Sequence, residues 1–246
     1  IPQGEYIPRL NKPLHIIALL SPSGVHGSLE ILYRMLTLLQ QHTEQDILIH
    51  ALLDGRDAPP YAGYGYLEEL AAYCAQHPRC ALASVAGRFY ALDRDNHVER
   101  TAEYCALFTH KTDIENWQNL IRRAYDQKVS DEYITPFRTA EFTIQPDDCI
   151  LILITRADRA RSLVRTLQQK GFTNLITATD YGLENQPPFL VPAPQAEHTL
   201  CETLSNAGYR IFSIAESEKY AHVTYFFNGG REIMYPHETR MIIPSD

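Results

Sequence analysis

Leu53-Asp54-Gly55-Arg56-Asp57-Ala58-Pro59-Pro60 sets two carboxylates around an arginine directly behind the apolar run Ile47-Leu48-Ile49-His50-Ala51-Leu52-Leu53. A continuous apolar run of this length suits a strand buried on both faces, as in a parallel sheet covered by helices. In open α/β sheets the chemistry sits just beyond the carboxyl ends of such strands, which is where Asp54, Arg56 and Asp57 fall. Two further arginine-bearing segments follow apolar runs in the same way: Gly87-Arg88-Phe89-Tyr90-Ala91-Leu92-Asp93-Arg94-Asp95 and Thr155-Arg156-Ala157-Asp158-Arg159-Ala160-Arg161. The chain carries a formal net charge of −8, yet it gathers arginines where a parallel sheet would converge them. Guanidinium groups grip phosphate and carboxylate bidentately, so the pattern points to a small anion bearing both.

Outward from this stretch the chain alternates. Leu14 to Leu20 reads as a strand, residues 21–27 as a loop, and Ser28 as the N-cap of a helix whose apolar residues Leu29, Leu32, Tyr33, Leu36 and Leu39 share one face. A helix through Leu67, Leu70, Ala71 and Cys74 leads to a strand from Cys80 to Ala86. Helical patterns cover Val98 to His110 and Asp113 to Gln127, and Pro136 with its β-forming neighbours makes Asp131 to Thr143 extended loop or edge structure. Cys149 to Ile154 is a strand, followed by a helix stopped by Gly171 and a strand from Asn174 to Ala178. The alternation predicts an α/β fold, a mainly parallel sheet with helices on both faces in three layers. Residues 1–13 read as an arm or hinge and residues 14–190 as the main domain. The prolines at 187, 188, 192 and 194 mark a linker. Residues 191–246, with a helix from Glu197 to Asn206 and a strand from Tyr209 to Ala215, are too short for a domain and read as a hinge plus part of a second one.

Composition narrows the function. A hydrophobic fraction of 45% over 246 residues supports a globular core, and the acidic balance argues against general nucleic-acid binding. Apolar runs are of strand length, short of the ~20 residues of a membrane span, and no signal peptide opens the chain. Five cysteines without C-x-x-C spacing indicate a reduced, cytoplasmic protein. The ten histidines show no carboxylate-histidine spacing suited to a metal. His50, inside a strand, reads as a hydrogen-bonded core histidine, and Asp54 as a brace for backbone amides.

Five segments occur in order: Gly24-Val25-His26, Leu53-Asp54-Gly55-Arg56-Asp57, Gly87 to Asp95, Arg156 to Arg161, and Ala215-Glu216-Ser217-Glu218-Lys219-Tyr220-Ala221-His222-Val223-Thr224. Together they resemble the cofactor-independent (2,3-bisphosphoglycerate-independent) phosphoglycerate mutase family over nearly the whole chain after Pro13. The resemblance implies a two-domain enzyme interconverting 3- and 2-phosphoglycerate. One domain, of alkaline-phosphatase type, carries a serine nucleophile and two manganese-like ions; the inserted domain holds the substrate. His26, Arg56 and Asp57 match substrate contacts, with Asp57 handling protons at the glycerate hydroxyls. Arg88, Arg94, Arg156 and Arg159 match arginines that hold phosphate and carboxylate, and Lys219 a lysine reaching the phosphoryl group.

Some positions depart from the family pattern. Pro22-Ser23-Gly24-Val25-His26 stands where Asp-Gly-Gly-Val-His is usual, and Ile154 replaces an asparagine. The nucleophile and metal-ligand segments are not found. The resemblance therefore implies the substrate-binding half with a fragment of a phosphatase-like domain, a monomer binding no cofactor itself and inactive alone. The alternatives are a stand-alone module that binds a phosphorylated metabolite, or a decayed homologue kept for protein association.

Overall fold

The computed structural model describes residues 12–93, 97–110, 113–192 and 196–245. Residues 1–11 of the expected arm, Arg94 and Pro194 lie outside them. Two compact units divide the chain, Ile1–Val191 and Pro192–Asp246.

The first unit runs β1 (Leu14–Leu20), α1 (Leu29–His42), β2 (Ile47–Leu53), α2 (Gly63–Gln76), β3 (Cys80–Gly87), α3 (Arg88–Ala91), α4 (Val98–Thr109), α5 (Trp117–Asp126), a 3-10 turn at Asp131–Tyr133, β4 (Phe137–Arg138), β5 (Cys149–Leu153), α6 (Ala157–Gln169), β6 (Leu175–Thr179) and β7 (Phe189–Val191). The strands form one seven-stranded sheet in the order β4-β3-β2-β1-β5-β6-β7. All pair in parallel except β4, which runs antiparallel to β3. The chain moves from β1 through β2 to β3, returns to the other side of β1, and continues through β5, β6 and β7. Right-handed crossovers then force the helices of the two halves onto opposite faces. Leu32, Leu36 and Leu39 of α1, Leu67 and Leu70 of α2 and Ile121 of α5 pack on Leu14, Ile16, Ala18 and Leu20. Tyr104 and Phe108 of α4 and Leu163, Val164 and Leu167 of α6 pack on Ile17 and Leu19. The three-layer α/β fold is the one the apolar runs predict, because strands buried on both faces cannot afford alternation.

Details differ from the sequence pattern. The helix expected from Asp113 begins at Trp117, because the Asn116 side chain accepts the Asn119 N–H at 2.9 Å and caps it there. Ahead of the cap, Ile114 bridges Arg138 in extended structure. The proline cluster contains β7, a three-residue strand at the sheet edge. Edge position tolerates its flanking prolines, since one side needs no N–H donors; Pro188 contributes only its carbonyl, accepting the Thr177 N–H at 2.9 Å.

Two polar clusters inside this core are hydrogen-bonded. His15 Nδ1 lies 2.9 Å from His50 Nε2, and His50 Nδ1 lies 2.8 Å from Ser84 Oγ, a chain across three strands. His50 is thus the hydrogen-bonded core histidine expected. Arg138, 6% exposed, donates to the carbonyls of Leu107, His110 and Phe142 and stacks its guanidinium 4.0 Å from the Phe142 ring centroid. It thereby satisfies carbonyls that the end of α4 leaves open.

The second unit holds α7 (Leu200–Asn206), β8 (Ile211–Glu216), a 3-10 turn at Ser217–Lys219, α8 (Tyr220–Val223) and β9 (Glu238–Ile243). β8 and β9 pair in parallel, in register from Ile211↔Glu238 to Glu216↔Ile243. Phe212 and Ile214 of β8 and Met241 and Ile242 of β9 are exposed.

Candidate functional site

The site grows from the place where strand order reverses. β1 pairs with β2 on one side and β5 on the other, so the loops leaving β1 and β5 part from neighbouring strand ends and open a crevice. Here those loops are tied: the Thr155 N–H donates to the His26 carbonyl at 2.8 Å. Gly27 permits the approach, since a Cβ there would lie 3.2 Å from the Leu153 carbonyl.

The loop after β1 accommodates its unusual sequence. Gly24 takes the left-handed conformation, at φ 70°, while Ser23 does not. A serine therefore fits at 23 without strain, and its Oγ lies 2.9 Å from the buried Ser21 hydroxyl. Ile154 is fully buried in the core beyond β5, and the Tyr181 hydroxyl donates to its carbonyl at 2.5 Å. An apolar side chain at 154 therefore serves packing.

At the end of β2, Asp54 is buried and braces the turn, as its position suggested. Its Oδ1 accepts the N–H groups of Arg56 at 3.3 Å and Asp57 at 3.0 Å. From the end of β3, Arg88 joins both carboxylates: one nitrogen, Nη1, lies 2.6 Å from Asp54 Oδ1 and 2.6 Å from Asp57 Oδ2. Burial pushes the Asp54 carboxyl up, but hydrogen bonds from the Ser21 hydroxyl, the Asp57 amide and Arg88 outweigh it and hold the group below its usual value. The Asp54 side chain is 1% exposed and that of Asp57 29%, so of the two only Asp57 can meet a ligand.

His26 reaches the same carboxylate, with Nε2 3.1 Å from Asp57 Oδ2. Burial, helped by the positive charges of Arg88, Arg156 and Arg159, lowers the ring to about 4 against the opposing pull of Asp57. His26 is therefore a neutral imidazole at physiological pH. The same balance identifies its neighbours: three arginines from the ends of β3 and β5 stand close enough to act on one ring. Arg156, just before α6, directs Nε to Asp158 Oδ1 at 2.8 Å. Arg159, one turn on, has Nη1 3.4 Å from the Leu92 carbonyl.

The remaining sequence candidates have other partners or fall outside the described residues. Arg56 is half exposed and faces Glu132, 3.5 Å away. Lys219 belongs to the second unit, where its exposed Nζ lies 3.8 Å from Glu216. Arg94 is outside the described residues. Sequence reading overlooked Asp131, a carboxylate 1% exposed beneath the Asp54–Asp57 loop, because its partners are backbone amides and a tyrosine that no spacing rule links to it. Among the described residues no group of three or more His, Cys, Asp or Glu side chains could hold a metal ion, and no helix is long and apolar enough to cross a membrane.

Comparison with known proteins bears on the family and the fold. Residues 5–191 match the family described as BPG-independent PGAM N-terminus. A 2,3-bisphosphoglycerate-independent phosphoglycerate mutase of Myxococcus xanthus is 37% identical over 252 residues, covering 95% of this chain and 49% of the relative. One from Moorella thermoacetica is 36% identical over 250 residues, covering 94% and 49%. A crystal structure of Leishmania mexicana phosphoglycerate mutase at low cobalt concentration superposes with a TM-score of 0.82 at 29% identity, over 96% of this chain and 48% of that one. The chain thus spans about half the length of the relatives it matches.

Proposed function

Because the chain belongs to the BPG-independent phosphoglycerate mutase family, matching its N-terminal part, we propose that it supplies the substrate-holding half of an enzyme interconverting 3- and 2-phosphoglycerate. The observation that carries this reading is the convergence of His26, Asp57, Arg88, Arg156 and Arg159 where strand order reverses. A phosphoglycerate offers one phosphate and one carboxylate, the two groups planar guanidinium forks recognise best.

Each residue has a task set by its surroundings. Arg156 and Arg159, at the start of α6, take the phosphate or carboxylate, exchanging intramolecular partners such as Asp158 for ligand oxygens. Arg88, buried between two carboxylates, orients Asp57 as well as contributing charge. Asp57 accepts the proton of a glycerate hydroxyl when that oxygen receives a phosphoryl group and returns it when the group leaves, the base-then-acid role a reversible transfer needs. His26, neutral, donates Nε2–H to Asp57 and fixes its rotamer. By resemblance alone, Arg56, Arg94 and Lys219 are assigned as further positive charges for the ligand. Phosphoryl transfer depends mostly on positioning and charge neutralisation, and this half provides both for the glycerate.

The two manganese-like ions that the resemblance implies do not fit the described residues of this chain, which lack a ligand cluster. They and the serine nucleophile belong, in this reading, to a phosphatase-type domain outside the sequence given. The chain alone is then a monomeric, cytoplasmic half-site that binds phosphoglycerate and turns it over little or not at all.

Calorimetric titration with 3-phosphoglycerate at low ionic strength, with Arg156→Ala alongside, tests the proposal. Millimolar or tighter binding that the substitution abolishes is the expected result. Binding that Arg156→Ala leaves untouched would overturn the assignment of this cluster.

A further inference from the structure

Three glycines surround one short segment. A Cβ at Gly55 would lie 2.6 Å from the Glu132 amide nitrogen, and one at Gly63 2.7 Å from Asp131 Oδ1. At Gly87 a Cβ would run into the Glu132 carbonyl. These glycines belong to the Asp54–Asp57 loop, the start of α2 and the end of β3. The Asp131–Tyr133 turn is thus pressed against both polypeptide stretches that present the Asp57–Arg88 pair. It is also bonded to both. The Asp131 N–H donates to the Pro60 carbonyl at 2.8 Å, and the Gly87 N–H donates to the Ile134 carbonyl at 2.7 Å. Arg56 and Glu132 add an ion pair at 3.5 Å.

At the centre is the Asp131 carboxylate. Its Oδ2 accepts the Gly63 N–H at 2.7 Å, its Oδ1 accepts the Tyr125 hydroxyl at 2.5 Å, and the Ala62 amide contributes as well. A buried carboxylate costs stability unless its lone pairs are filled, and here donors from α2 and α5 fill them. We propose that Asp131 is a positioning residue: by fixing the Asp131–Ile134 segment against Gly55 and Gly87, it sets the separation of Asp57 and Arg88 and, through Asp57, the placement of His26. Asp131 touches none of these three side chains. Its influence runs through the backbone of the two loops, where a shift of a few tenths of an ångström would break two charge-assisted bonds of 2.6 Å that share one guanidinium nitrogen.

The inference rests on the reading of the Asp57–Arg88 pair as part of the substrate site, but its primary readout does not. In this 246-residue chain, the imidazole signals of His26, His15 and His50 are followed by NMR against pH in the parent and in Asp131→Asn. An amide accepts at its oxygen alone, so with that oxygen on the Gly63 N–H the charge-assisted bond from the Tyr125 hydroxyl is lost. Positioning predicts that the His26 midpoint rises from about 4 toward 6.5 as the site loosens, while His15 and His50, in the same sheet, keep theirs. Losing a negative charge without movement would shift His26 the opposite way. An unchanged or lowered His26 midpoint in a folded variant, with only the melting temperature reduced, would overturn the proposal. Should Asp131→Asn fail to fold, Tyr125→Phe removes a single donor and is judged by the same two results. Parallel titration with 3-phosphoglycerate separates the two readings. A parent chain that binds none weakens the proposed function, and the His26 result still decides the role of Asp131.

Discussion

His26 directs Nε2 at Asp57 Oδ2 across 3.1 Å, yet the ring is held neutral, at about 4. A histidine next to a carboxylate ordinarily gains affinity for its proton. Burial and three arginines reverse that here. Because the folded-state value lies below the ordinary 6.5, the unfolded chain takes up this proton more readily. Stability is therefore intact above about pH 6.5 and is lost as pH falls toward 4. His15, buried and also lowered to about 4, adds to the loss over the same window, and His50, lowered by burial, extends it. Asp54 acts in the same direction at lower pH: held low by its partners, it contributes stability that is lost only as pH falls below the ordinary carboxylate range. Urea unfolding between pH 7.5 and 4 should show a loss on the order of 3 kcal/mol for each of His26 and His15, reduced by one such step in His26→Gln. A flat profile over this range would contradict a neutral buried ring.

Arg88 bonds two carboxylates with one nitrogen. Removing a buried partner leaves uncompensated charge, typically at about 3–5 kcal/mol. Arg88→Ala should destabilise the chain by about that much and abolish phosphoglycerate binding. Arg88→Lys should not restore it, since an ammonium cannot reproduce the planar fork. Denaturant midpoints and calorimetry of both variants check the pair. Full binding by the lysine variant would mean that Arg88 acts by charge alone.

Arg156 presents the contrasting case. Its side chain is 23% exposed and pairs with Asp158, two residues away. Ion pairs open to solvent contribute about 0–1 kcal/mol, so Arg156→Ala should barely move the unfolding midpoint while lowering phosphoglycerate affinity at least tenfold. Binding should also weaken with salt, because the attraction is between formal charges that ions screen. A large stability loss in this variant would point to a structural role.

What the sequence made legible follows from how each feature is encoded. Buried parallel strands must be continuous apolar runs, so β1, β2, β3 and β5 stand out, and the position of Asp54, Asp57, Arg88 and Arg156 just past them follows. Ser28 was visible as a cap because its hydroxyl accepts the Ile31 N–H three residues on, at 3.1 Å, a purely local bond. Asp131 was not visible: its donors come from residue 63 and residue 125, and only the fold brings them together. β9 was missed for the same reason, since its parallel partner β8 lies more than twenty residues earlier. The orientation of Arg56 toward Glu132 likewise depends on the turn that Asp131 anchors.

The His15–His50–Ser84 chain offers a stability test away from the site. Ser84→Ala removes the hydroxyl 2.8 Å from His50 Nδ1 and strands a buried ring nitrogen, at a cost of about 1–3 kcal/mol. Ligand affinity should be unchanged, because all three residues lie within strands and not at their carboxyl ends. Chemical denaturation with parallel titration measures both, and a drop in affinity would reveal coupling between the core and the crevice.

Two glycines with the same backbone conformation should respond differently to substitution. Gly24 and Gly55 have φ of 70° and 65°, so alanine at either incurs the left-handed penalty of about 1–2 kcal/mol. At Gly24 nothing lies within 4 Å of an added Cβ, and the cost ends there. At Gly55 the methyl would meet the Glu132 amide at 2.6 Å and the Asp131 Cβ at 2.9 Å, where backbone must move. Overpacking of that kind costs about 1–3 kcal/mol more. It also pushes apart the loop and turn that Asp131 holds together, so Gly55→Ala should lose ligand affinity along with stability, whereas Gly24→Ala loses stability alone. Equal unfolding midpoints for the two variants would show that the Asp131–Tyr133 turn yields freely, and a turn that yields cannot set the separation of Asp57 and Arg88.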